Sequence, residues 1–167
     1  MSRRARARKA YHPKPVHLNA VQRAMEGAAK LPADQVATIS ANLGTALDDF
    51  SAGRDCPRLW CAMADAMNVA EALADLNICS DDGSRQRIAD ARAALAAVHM
   101  RHTARGWTLY PAERNALADG LWLHGVQLQH ASFREYESAI DDTTRRLTQA
   151  RAGNAPRGAI VLQGALA

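Results

Sequence analysis

At 167 residues the chain has the size of one domain, with alanine making up about a fifth of it (36 residues) and aromatics only 5%; this suits closely packed helices and argues against a β-sandwich of β-branched strands. No apolar run approaches the ~18–20 residues that span a bilayer, which excludes a transmembrane helix. The formal charge of +4 is sorted by position: Arg3, Arg4, Arg6, Arg8, Lys9 and Lys14 open the chain without an acid, and residues 145–167 carry four arginines without an acid. Residues 15–144 hold 11 bases against all 17 acids, a formal −6.

Residues 1–17 read as an extended arm, because Pro13 and Pro15 hold themselves and the residues before them in β or polyproline geometry. The arm's start is not followed by an apolar segment, which argues against a secretory signal. Its scarcity of hydroxyl residues and its stiff Pro13-Lys14-Pro15 argue against a mitochondrial transit peptide. Asn19 is a natural N-cap, and Val21, Met25 and Ala28 follow at helical spacing, predicting a short first helix to about Lys30. Pro32 fits the first turn of a second helix. Val36, Ile39, Leu43, Leu47 and Phe50 then make the clearest amphipathic stripe in the chain, and Gly53 ends it.

Asp55-Cys56-Pro57 starts a third helix, with Trp60, Met63, Met67, Ala70 and Leu73 on one face. A turn over residues 80–84 leads into a fourth, with Ile88, Ala91, Leu95, Val98 and His102 on one face and Gly106 at its end. Trp107-Thr108-Leu109-Tyr110 bridges to Pro111 and a fifth helix, whose apolar sector (Leu117, Leu121, His124, Leu128, with Trp122 and Val126 beside them) is the widest and predicts a central place. Ser132-Phe133-Arg134-Glu135 matches the capping box S-x-x-E, so a break follows His130 and a sixth helix begins, with Phe133, Tyr136, Ile140 and Leu147 as its stripe. Gly153-Asn154-Ala155-Pro156 ends helical structure. The tail beyond then turns apolar at Ile160-Val161-Leu162.

Among candidate sites, the arm carries six cations with Tyr11 between them. Arg3, Arg4, Arg6, Arg8, Lys9 and Lys14 can follow a phosphate backbone while the Tyr11 ring stacks on a base. They can equally meet an acidic protein partner, or form a solvated tail. Trp107, in a loop, is either a core anchor or an exposed contact residue. Ile160, Val161 and Leu162 are aliphatics that gain by docking, in a groove of the chain's own bundle or on a second copy, with a frayed end as the alternative. His99 and His102 lie three apart on one helix but lack a recognisable third ligand, and His124, His130 and Asp119 lack a nucleophile. Asp48-Asp49 and Asp81-Asp82 sit near element ends, where aspartate caps or faces water. Cys56, Cys61 and Cys79 are an odd set without zinc spacing, read as reduced thiols. Phosphate-loop, dinucleotide, nucleophile-elbow and zinc-protease fingerprints are absent. No metal or cofactor is expected.

The opening Lys9-Ala10-Tyr11-His12-Pro13-Lys14-Pro15-Val16 resembles the start of small helical accessory proteins encoded by tailed bacteriophages and prophages. The segment from Trp60 through Asn68-Val69 and Glu71-Ala72-Leu73 to Ile78, and that from Leu109 to Leu117, are similar to other parts of those proteins. The resemblance implies a small accessory protein acting inside the bacterial cell, and it carries over no catalytic residue.

The expectation is therefore a single all-α domain: a basic extended arm over 1–17, a helical domain of about six helices over 18–151 and an irregular C-terminal tail over 152–167. The expected role is non-enzymatic and cytoplasmic, in the bacterial host cell: binding a host protein or nucleoprotein complex and inhibiting or redirecting nucleic-acid handling or defence. Two mechanisms suit it, an acidic body that imitates nucleic acid and a basic arm that holds it. The alternatives are a plain DNA- or RNA-binding accessory protein, and a small nucleotide-sequestering protein or hydrolase. A homo-oligomer is open through the apolar tail; no membrane contact is expected.

Overall fold

The computed structural model describes residues 20–153. The arm, with Arg3, Arg4, Arg6, Arg8, Lys9, Tyr11 and Lys14, lies outside them, as do Ile160, Val161 and Leu162 in the tail. The described residues form an all-α bundle of six helices: α1 (Ala20–Ala28), α2 (Ala33–Ser51), α3 (Cys56–Asp75), α4 (Asp82–Arg105), α5 (Pro111–His130) and α6 (Phe133–Arg151). No described helix is long and apolar enough to cross a membrane.

Local chemistry sets the boundaries. Pro32 stands one position earlier than its first-turn expectation: it is the N-cap of α2, with extended ψ, and its carbonyl accepts from Val36 N–H. α2 and α3 end in the same motif with different residues. After α2, Gly53 (φ +76°) is left-handed; its N–H donates to the Phe50 carbonyl and Arg54 N–H to that of Asp49. After α3, Asn77 (φ +64°) takes that place, with Asn77 N–H on Ala74 and Ile78 N–H on Leu73. Both are Schellman closures, and asparagine tolerates the left-handed position better than most side chains. Asp81 caps α4 by accepting from Ser84 N–H at 3.0 Å. At α6 the capping box is formed as the sequence predicts: Glu135 N–H donates to Ser132 Oγ at 3.3 Å, and Ser132 N–H to Glu135 Oε2 at 2.7 Å.

α3 shares the centre of the bundle with α5, which takes the inner place its sequence predicts, with Leu117, Leu121, His124 and Leu128 buried. α3 packs against α2, α4, α5 and α6, and its whole predicted face is buried, Trp60, Met63, Met67, Ala70 and Leu73 included. Alanines at 64, 66, 70, 72 and 74 keep its other sides narrow, so neighbours approach from several directions. The Trp60 indole donates to the Leu95 carbonyl at 3.0 Å, tying α3 to α4. α5 packs against α2, α3 and α4. It does so at two glycines: a Cβ on Gly120 would lie 2.6 Å from Ala91 Cβ and 2.9 Å from Met67 Sδ, and one on Gly125 would lie 2.9 Å from Ser40 Oγ. These close crossings and the buried apolar sector together seat α5. Trp122, expected beside that sector, is 61% exposed.

Two further stripes are corrected. Met25 of α1 is 71% exposed. α1 is joined to α6 through an antiparallel bridge between Lys30 and Ser132 and a hydrogen bond from Phe133 N–H to Ala29 O at 2.8 Å. In α6 the buried line is Ala139, Thr143 and Ala150, whereas Phe133, Tyr136, Ile140 and Leu147 lie at the edge, half-buried or exposed. Small residues face α3 because that crossing is close.

Candidate functional site

Trp107 is the one predicted contact residue within the described region. It is half-buried where the α4–α5 connection folds back over the core. Its ring stacks on His102 at 4.5 Å and meets Phe50 edge-on at 6.2 Å. His102 stacks on His99 at 4.8 Å, and His99 on Trp60 at 4.7 Å. The helical spacing of His99 and His102 thus builds a column of alternating indole and imidazole rings. Burial, then the neighbouring His102, pushes the His99 imidazole below the ordinary histidine range. Among the described residues no group of three His, Cys, Asp or Glu side chains gathers to hold a metal.

The other predicted constellations are dispersed by the fold. Asp119 and His130 are exposed while His124 is 3% exposed, so the three do not share a site. Asp49 pairs with Arg54, and Asp48 with Arg114 at 2.9 Å. Asp81 is a helix cap, its carboxyl held below the usual range by Ser84. Cys56, Cys61 and Cys79 are free thiols, and burial raises the first two.

The described residues also form concave regions beside α6. One, about 450 Å³ between α3 and α6, has a mixed lining with charged residues at its rim. Arg146 spans it, 3.0 Å from Asp75, 3.6 Å from Glu71 and also paired with Asp142. Arg85 reaches Asp75 at 3.2 Å, Arg92 pairs with Glu71, and Arg145 with Asp142. These ion pairs form a clamp joining α3, α4 and α6.

Another is a groove of about 360 Å³. α2 and α6 both lie on α3, and the groove runs between them: Ile39 and Leu43 on one wall, Tyr136, Ile140 and Leu147 on the other, Ala66 and Val69 along the bottom. Two polar side chains also line it, His124 and Thr143, both more than nine-tenths buried. Thr143 Oγ1 has no hydrogen-bond partner among the described residues, whereas the His124 ring is held by the Gln127 side chain. Burial drives the His124 pKa down to about 4, only partly opposed by Gln127, so its imidazole is neutral. Asp65 borders the groove, and burial raises its carboxyl despite the opposing field of Arg151.

Sequence reasoning missed several of these residues. Gln127 is fully buried and donates from Nε2 to the carbonyls of Ala70 (3.0 Å) and Ile78 (3.1 Å), tying α5 to the end of α3. Its place three residues after His124, on the same side of the helix, was the available signal. Trp122 carries the Arg87 guanidinium 5.8 Å from its ring centroid and presents the largest exposed aromatic face of the described residues; nothing in the apolar pattern distinguished it from a core tryptophan.

No family model matches the chain, and neither a curated protein nor a solved structure matches it.

Proposed function

We propose that this chain is a non-enzymatic accessory protein of a bacteriophage or prophage, which binds a bacterial nucleic-acid-handling or defence complex and inhibits or redirects it. The observation that carries the reading is the division of charge. Six cations stand together in the arm, whereas residues 20–153 hold all 17 acids against 14 Lys and Arg, a formal −3. Seven of those acids (Asp48, Asp49, Asp55, Glu71, Asp75, Glu113 and Asp142) are held in ion pairs. Pairing of those seven weakens the negative field of the body, and with it the imitation of a phosphate backbone. The arm is therefore the stronger of the two mechanisms, with Arg3, Arg4, Arg6, Arg8, Lys9 and Lys14 on phosphates and Tyr11 stacked. Trp122 with Arg87 supports a protein contact on the body, since exposed Trp and Arg dominate binding hot spots.

Affinity capture from bacterial lysate tests this with the full chain and with a variant carrying Arg3, Arg4, Arg6, Arg8 and Lys9 all replaced by Ala. A host complex retained by the full chain after nuclease treatment, and weakened both in the arm variant and by Trp122→Ala, is the expected result. Capture that vanishes with nuclease leaves the second reading, a plain nucleic-acid-binding accessory protein, which the arm's composition also favours.

A further inference from the structure

The groove between α2 and α6 is built like a binding site and has no occupant among residues 20–153. Its walls keep large aliphatics in contact with water: Ile140 is 38% exposed, and Ile39, Leu43 and Leu147 are half-buried. Covering their remaining apolar surface is favourable. At its floor, Thr143 Oγ1 is buried without a hydrogen-bond partner among the described residues. An occupant that offers this atom a hydrogen bond removes the penalty of leaving it unpaired. Apolar walls with an isolated polar atom between them fit a short extended peptide, whose side chains are greasy and whose backbone supplies N–H and C=O groups.

We infer that the occupant is the chain's own C-terminal segment, Ile160-Val161-Leu162, folded back along α6 into this groove. Three observations single it out. The groove reaches the end of α6: Leu147 lines it, and Arg151 lies in the field of Asp65, which borders it. α6 closes at Gly153 (φ +80°), a left-handed residue of the kind that takes the chain off the helix axis. Seven residue steps from Gly153 to Ile160 span up to about 24 Å, whereas returning along α6 from Gly153 to Ile140 takes about 20 Å. This inference is independent of the proposed function.

Disulfide trapping in the full-length chain decides it. Val161→Cys is combined in turn with Leu43→Cys, Ile140→Cys and Leu147→Cys, and oxidised products are mapped by mass spectrometry so that bonds to Cys61 or Cys79 are recognised. A crosslink within one chain for pairs on both walls supports the inference. Crosslinked dimers overturn it and make a second copy the occupant; no crosslink in any pair also overturns it. An independent readout is thermal melting. The triple variant Ile160→Ser, Val161→Ser, Leu162→Ser should lower the midpoint by roughly 5 °C, and Ile140→Glu should add little once the tail is changed. Unchanged melting of the triple variant, or fully additive losses, would show that the tail and the groove do not meet.

Discussion

His124 turns burial into pH dependence. Its folded pKa is depressed to about 4 against 6.5 for the free side chain. The unfolded chain therefore binds this proton more readily, and stability is full above pH 6.5 and lost as pH falls towards 4. Between pH 6.5 and 5 the loss from this group is about 1.5 kcal/mol. His99, also depressed by burial, adds in the same direction. Denaturant unfolding of the parent and of His124→Gln at pH 7 and pH 5 measures it, and the variant should show the weaker pH dependence. The glycines form a second residue-scale contrast. Gly120→Ala sets a Cβ against Ala91 and Met67 and should destabilise by about 1–2 kcal/mol, the overpacking exceeding the gain in helix propensity. Gly44, inside α2 with nothing within 4 Å of a new Cβ, should stabilise the protein by about 0.8–1 kcal/mol when changed to Ala. Opposite shifts in the two melting curves are the expected outcome.

Among the elements, α6 shows most clearly what holds a helix in this bundle. Its start is secured by the reciprocal Ser132–Glu135 bonds, and backbone at the same point pairs with Lys30 and Ala29. Ser132→Ala should cost about 0.5–2 kcal/mol in chemical denaturation, and the Glu135 carboxyl, held low by Ser132, should titrate closer to its ordinary value. Its length is secured by small residues against α3 and by Arg146 across the charged clamp. The S-x-x-E pattern was legible in the sequence because a cap is a local device, complete within four residues. The buried face was not. Hydrophobicity singles out Phe133, Tyr136, Ile140 and Leu147, but a close crossing selects for size, and Ala139, Thr143 and Ala150 win the inner line. The same competition places Trp122 outside and Gly120 inside on α5.

At the scale of the whole molecule, charge is divided between an arm of six cations and a body with a formal excess of acids, seven of them held in ion pairs. If the arm contacts nucleic acid, deleting residues 1–10 removes five cations and should reduce the log–log salt slope of binding by about 3.5–4.5. Binding measured at several salt concentrations, on the full chain and the deletion, checks this. A slope that persists would move the contact to the body.

The order and extent of the helices were determined by the sequence alone, because caps, prolines, glycines and apolar periodicity act within a few residues. Its all-α class followed from the alanine content and from the lack of strand-length β-branched runs in the body. That α3 shares the centre with α5, which apolar residues stayed at the surface and where partnerless polar atoms came to rest depended on tertiary structure. Those outcomes turn on how near two helices approach. Residues as far apart in the chain as Ser40 and Gly125, or Met67 and Gly120, set that distance together. The groove is a product of the same rule. Ile39, Leu43, Ile140 and Leu147 all read as core, and they form a groove because α2 and α6 rest side by side on α3 with room between them.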